Sequence, residues 1–326
     1  MKKSNFIIFS LLFLLLLISG CSNPGQFPDA NVAKEQVVYE TTDKEIQICF
    51  NPRENCGNLI TEMINKSTDI KCAFYDLNIK ELITVLEEKK ADVVIYSENK
   101  LPQFKISYSE GLMHDKFCIL DSSIVITGSF NPTNNDNLRN NNNMEIIYSE
   151  YLAKNYLQEF SEIEKNSYGR KETEYPKIYI NNVLFENYFS PKDHVQEHIL
   201  DALKKADKSI YFMAFSFTDD DIGNTLINKY NSGLDIKGIF EKSQNNNWTE
   251  YSKMKDLGMD VNWDKNKYNM HHKVFIIDNE TVIFGSYNPT KNADEHNDEN
   301  IIIVHDKDIT KKFIEEFDLL WKWYDS

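Results

Sequence analysis

The chain has 326 residues, 41% of them hydrophobic, 13% aromatic and 27% charged, a balance that excludes a disordered protein. A formal charge of −15 excludes a strongly basic nucleic-acid coat, although a local basic groove stays compatible with it. Five cysteines are too few for a disulfide-built scaffold, one long apolar run is too little for a polytopic membrane protein, and the length predicts roughly two domains.

The apolar run, Phe6 to Ile18, follows Lys2 and Lys3 and falls short of the ~20 residues needed to span a bilayer. It reads as the core of a secretory signal over residues 1–20. Ser19-Gly20-Cys21 looks like a lipobox, in which Cys21 becomes the lipidated first residue of an exported protein. The expected location is the outer face of the cell membrane or the outer membrane, with the membrane as partner through Cys21 and no obligate protein partner evident. Residues 21–44 carry Pro, Gly and scattered charge without apolar period and read as a tether.

Beyond it, the pattern predicts a strand over 44–50 and a helix from Cys56 to Asn65, with Leu59, Ile60, Met63 and Ile64 on one face. A strand over 70–77, a helix over 79–90, a strand over 91–97 and a helix at about 150–165 follow. Ser167 to Pro176 is a polar linker. The second half reads as helix 192–205, strand 209–217, helix 220–231 and strand 234–240. It then inserts a helix-like stretch, Trp248 to Leu257, and another strand, where the first half has only a short loop. This alternation predicts an α/β fold of two layered lobes, 45–166 and 177–326. Outside the cytoplasm Cys49 and Cys56 could close a short disulfide, whereas Cys72 and Cys118 read as core residues, and no CxxC pair suggests zinc.

A duplication organises the chain. Residues 113–133, MHDKFCILDSSIVITGSFNPT, and 270–290, MHHKVFIIDNETVIFGSYNPT, share twelve of twenty-one positions at a constant offset of 157. Each copy holds histidine, lysine two residues on, aspartate five further on, then Gly-Ser-x-Asn. These are His114, Lys116, Asp121, Ser129 and Asn131, and His271, Lys273, Asp278, Ser286 and Asn288. On a strand, residues i and i+2 share a face, so each histidine and its lysine project together.

The two HxKxxxxD…GSxN motifs resemble the signature of the phospholipase D superfamily, without a substitution in either copy. The compact lobes, with FMAFSFTD (212–219) and ICFNPRENC (48–56), look most like the bacterial Nuc-type endonucleases and the mitochondrial cardiolipin hydrolase group. The resemblance implies two α/β/α sandwich lobes packed as a pseudo-dimer around one interfacial active site. It implies a metal-independent phosphoric diester hydrolase with no cofactor. Lys116, Lys273, Asn131 and Asn288 would bind the phosphate oxygens, His114 would attack phosphorus to give a phosphohistidine, and His271 would protonate the leaving oxygen. In the family a glutamate on the following strand orients each histidine. Glu299 then serves His271, and Glu145 serves His114 if the Asn-rich loop 134–143 carries a three-residue insertion. Asp121 and Asp278, with Ser129 and Ser286, are supporting residues. The expected substrate is a phospholipid headgroup diester. The alternatives are an exported endonuclease cleaving DNA or RNA, and a non-catalytic lipoprotein binding phosphorylated polymers.

Other patterns read as structural. His194 and His198 form an HxxEH string, but fall on the solvated stripe of a helix whose buried face is Val195, Ile199, Ala202 and Leu203. The acidic loop Asp294–Asp298 reads as solvated surface and the Asn140–Asn143 run as loop composition. Phe313, Phe317, Trp321 and Tyr324 have helical spacing and read as packing.

Overall fold

Runs of buried β-branched and aromatic residues form the strands, and amphipathic segments between them form the covering helices. The computed structural model describes residues 36–99, 101–108, 111–166 and 171–322, so the stretch read as a signal, Cys21, most of the stretch read as a tether and Tyr324 lie outside the described residues. The first half runs β1 (Val37–Glu40), β2 (Gln47–Asn51), α1 (Cys56–Lys66), β3 (Ile70–Phe74), α2 (Lys80–Glu88), β4 (Asp92–Tyr96), β5 (Lys105–Ser107), β6 (Lys116–Leu120), β7 (Ile124–Gly128), α3 (Asn134–Leu138), β8 (Asn142–Tyr148) and α4 (Glu150–Glu164). The second runs β9 (Lys177–Ile180), β10 (Val183–Ser190), α5 (Val195–Lys204), β11 (Ser209–Ala214), α6 (Asp220–Asn231), β12 (Asp235–Phe240), α7 (Glu250–Asp256), β13 (Asp260–Trp263), β14 (Lys273–Ile277), β15 (Thr281–Gly285), α8 (Lys291–Glu295), β16 (Glu299–His305) and α9 (Lys307–Trp321).

Two mixed sheets result. The seven-stranded one has the order β2-β8-β7-β6-β3-β4-β5, and the nine-stranded one β1-β9-β10-β16-β15-β14-β11-β12-β13. The orders match strand for strand once β1 and β9 are set aside. Helices α1 and α2 seal the outer face of the first sheet through Ile60, Ile64, Leu82 and Leu86. Helices α5, α6 and α7 do the same for the second through Val195, Ile199, Leu226 and Met254. The inner faces share one core with α4 and α9, in which Phe117, Tyr156 and Phe160 meet Phe189, Phe284, Phe313 and Phe317. Burying a Phe-sized side chain is worth roughly 1.5–3 kcal/mol, so this shared core ties the halves together. Phe313 and Phe317 thus pack internally, and Trp321 packs against the same core.

Three expectations change. The supposed tether contributes β1, parallel to β9 at the far edge of the second sheet, because Val38 is buried between the halves and Tyr39 stacks on Tyr179 at 4.8 Å. The first half does have a strand, β5, where only a loop is expected; it pairs parallel with β4 as β13 does with β12. Cys72 and Cys118 are fully buried, but they also face each other across β3 and β6 and form a disulfide, as do Cys49 and Cys56.

Candidate active site

Each motif occupies a β-hairpin with a fixed job for every residue. Asp121 and Asp278 sit in the left-handed turns after β6 and β14 (φ 50° and 54°). Asp121 Oδ1 accepts from the backbone of Thr68 and Asp69, and Asp278 from that of Asp207, Lys208 and Ser209. Burial raises both carboxyls slightly, but these donors outweigh it and hold them below the usual carboxylate value. Both aspartates therefore brace the strand that carries the histidine. Gly128 and Gly285 have φ 137° and 153°, and a Cβ there would lie 2.4 Å from Asn143 O or 2.2 Å from Asn300 O. Only glycine allows β7 and β15 to approach β8 and β16 so closely. Ser129 Oγ donates to Asn143 Oδ1 at 2.9 Å, and Ser286 Oγ accepts from Asn300 N at 3.0 Å.

The two half-sites meet through paired backbone bonds. His114 N donates to Asp298 O at 3.0 Å, and His271 N donates to Asn141 O at 2.8 Å. The imidazoles are each held from the opposite half. His114 Nδ1 donates to Glu299 Oε2 at 2.7 Å. His271 Nδ1 donates to Asn142 Oδ1 at 2.9 Å and to Ser129 O at 3.1 Å, with Asp136 Oδ2 at 3.6 Å. Nδ1 being occupied on both rings, Nε2 is the nitrogen free for a reacting group. Lys116 Nζ and Lys273 Nζ donate to the carbonyls of His114 and His271. The lysines lie over the rings of Tyr75 (5.0 Å) and Phe215 (4.9 Å), and each ring packs edge-on against the histidine beside it at 4.7 Å.

The glutamate assignments are therefore corrected. Glu299 serves His114, not His271, because each strand start reaches across the junction. Glu145 touches neither histidine: it is fully buried, its Oε1 accepts from Asn143 Nδ2 at 3.0 Å, and burial pushes its carboxyl well up. No insertion separates the motifs, since β8 and β16 begin at Asn142 and Glu299, still 157 apart. The position matching Glu299 is Asn142. The Asn140–Asn143 run and the end of the acidic loop are corrected too, while Glu295 and His296 are exposed as expected. Asn140 to Asn143 are all buried, as are Asn297 and Asp298, and these stretches form the junction itself. His198, by contrast, stacks on Tyr188 at 3.4 Å.

Burial governs the electrostatics. It lowers His114 to about 4, against an opposing pull from Glu299, and lowers Lys116 to about 8. His271 and Lys273 are lowered well below their ordinary values, first by burial and then by the neighbouring lysines. Burial also raises the Glu299 carboxyl, but His114 and Lys116 outweigh it and the group stays below its usual value, hence charged. Asn131 and Asn288 complete the set. Asn131 donates from N and Nδ2 to Asp136 Oδ2, both at 2.9 Å, while Asn288 Oδ1 accepts from Ser216 N at 3.4 Å. Two lysines, two amides and two imidazoles form a site suited to an anion whose charge grows during reaction.

Comparison with known proteins agrees with this architecture. A family profile described as "Cardiolipin synthase, PLD-like domain" matches residues 26–164 and 199–321. The chain belongs to this phospholipase D-like family. It is 31% identical over 126 residues to the mitochondrial cardiolipin hydrolase of Chlamydomonas reinhardtii, covering 38% of this chain and 56% of that protein. It is 33% identical over 132 residues to the phospholipase D of Rickettsia conorii, covering 40% of this chain and 65% of that protein. The chain thus spans less than two thirds of these relatives' length. The crystal structure of phosphatidylserine synthase from Haemophilus influenzae shares the fold, with TM-score 0.62 and 12% identity over 85% of this chain and 86% of that one. Within this phospholipase D-like site, Tyr75, Phe215, Asp136 and Asn142 are residues that the motif reading did not single out.

Proposed function

We propose that the protein is a metal-independent phospholipase D-type hydrolase of phospholipid headgroup diesters, acting through a phosphohistidine. The supporting observation is that one carboxylate-backed imidazole and one amide-backed imidazole, contributed by opposite halves, converge with two lysines. His114 Nε2 attacks phosphorus, and Glu299 stabilises the positive ring that results. His271 takes a proton on Nε2 as the anionic phosphodiester binds beside it, passes that proton to the departing oxygen, then takes one from water as the phosphohistidine is hydrolysed. Lys116, Lys273, Asn131 and Asn288 bind the phosphate oxygens, a task that otherwise falls to a metal ion. The relatives' names, mitochondrial cardiolipin hydrolase and phospholipase D, favour a lipid substrate. The charge of −15 disfavours a long polyanion. We expect headgroup release from anionic and zwitterionic vesicles in EDTA, lost in His271→Ala. Intact vesicles alongside degraded plasmid or single-stranded DNA would replace this reading with a nuclease.

We further propose that Cys21 is lipidated and that the protein is exported. The two disulfides support an oxidising compartment. Metabolic palmitate labelling is expected in the membrane fraction and is expected to vanish in Cys21→Ser; labelling that persists contradicts the anchor.

A further inference from the structure

Two of the breaks in the pseudo-symmetry of the site lie at the Nδ1 edges of the histidines. Where the second half has Glu299 against His114, the first has the neutral Asn142 against His271. Where the second half has Ala293 in α8, the first has Asp136 in α3, again at the offset of 157. The second change compensates for the first. Asp136 Oδ2 lies 3.6 Å from His271 Nδ1, on the ring edge that Asn142 contacts. Its place is fixed on all sides. Thr133 Oγ1 caps its backbone N at 3.1 Å, Asn131 N and Nδ2 hold Oδ2 at 2.9 Å, and Asn140 Nδ2 holds Oδ1 at 2.6 Å. Burial, Lys273, Lys116, His114 and His272 all oppose a proton on the His271 ring, so the nearby Asp136 carboxylate is placed to counter them.

We propose that Asp136 is the positioning residue of the second half-site, supplying to His271 the negative charge that Glu299 supplies to His114. This rests on the phosphodiesterase reading above. Each half-site then carries one carboxylate, but at different range. Glu299 touches its ring, which suits the histidine that must hold a positive charge through a covalent intermediate. Asp136 stands beyond hydrogen-bond distance and acts through its field, which favours a proton on His271 without trapping it. The chain's own asymmetry thus separates nucleophile from acid. Asp136 also orients Asn131, so a single carboxylate couples the acid to one of the phosphate-binding amides.

The test measures the titration of His271 by NMR with saturating inorganic phosphate, assigned through His271→Ala. Asp136→Asn keeps the shape and removes the charge. It is expected to lower the proton affinity of His271 about tenfold, one pH unit, while His114 moves little. Asp136→Ala with Asn142→Glu rebuilds the Ala293/Glu299 arrangement that the other half already accommodates, and is expected to restore the titration. In turnover, Asp136→Asn is expected to slow an alkyl phosphodiester by up to about tenfold and a p-nitrophenyl diester far less, since nitrophenolate leaves without a proton. An unmoved His271 titration, or equal loss on both substrates, overturns the role of Asp136. Inactive wild-type protein with a shifted titration would instead leave Asp136 standing and remove the phosphodiesterase reading.

Discussion

His114→Ala is expected to lower cleavage of every phosphodiester by at least about 10³-fold, because His114 Nε2 is the atom proposed to form the bond to phosphorus. His271→Ala is expected to behave differently. With an alkyl leaving group it should be as inactive, since the departing oxygen needs a proton. With a p-nitrophenyl diester it should release one nitrophenolate per chain in a burst and then stall, because the phosphohistidine has lost the base that activates water. Stopped-flow absorbance reads the burst directly. The contrast follows from the observed asymmetry. His114 has the carboxylate of Glu299 at 2.7 Å to stabilise a persistent positive ring, and His271 has Asn142 Oδ1 at 2.9 Å. A burst in His114→Ala and none in His271→Ala would exchange the roles.

The second large effect is on stability. Burial lowers His114 from 6.5 to about 4, and His271 is lowered in the same direction. Between those values the unfolded chain binds protons that the folded chain does not, so acid favours unfolding. Stability is therefore complete above about pH 6.5 and is lost as pH falls toward about 4, below which His114 titrates in the folded state as well. The displacement from 6.5 to about 4 in this fully buried group corresponds to about 3 kcal/mol from His114 alone. Thermal melts across this range are expected to show the loss, and His114→Gln to reduce it. Saturating inorganic phosphate should flatten the slope, because an anion between Lys116 and Lys273 makes a protonated imidazole less costly. A wild-type melting temperature that is flat from pH 7 to 4 would show that burial does not displace the two imidazoles from their titration in the unfolded chain.

The family was legible in the sequence because its motif is written twice. Two copies of HxKxxxxD…GSxN at one offset identify His114, Lys116, Asn131, His271, Lys273 and Asn288 as a set, and the period-2 rule puts each histidine and lysine on one strand face. The partners of the histidines were not legible in the same way. Matching carboxylate to carboxylate led to Glu145 and a supposed insertion. Keeping the offset constant leads instead to Asn142 opposite Glu299 and Asp136 opposite Ala293. That pairing crosses the junction is a tertiary fact, visible only when His114 N meets Asp298 O and His271 N meets Asn141 O.

Two parts of the fold escaped for different reasons. The β9–β10 hairpin carries a local signal, Asn181-Asn182 with φ 50° and 69°, a tight turn between alternating apolar residues. Strand β1 carries almost none, since four residues gain their order from Lys177–Ile180, far along the chain. Tyr75 and Phe215 are likewise separated by a different spacing from the motifs, because the second half is longer between β12 and β14. Their equivalence appears in the register, where Tyr75 N donates to Asp115 O and Phe215 N to His272 O.

The most direct test of a single shared site is mass spectrometry of His271→Ala quenched within one turnover of a p-nitrophenyl diester. One phosphoryl adduct per chain, mapped to the peptide containing His114, is the predicted result. Two adducts per chain, an adduct away from His114, or turnover without any adduct would contradict it.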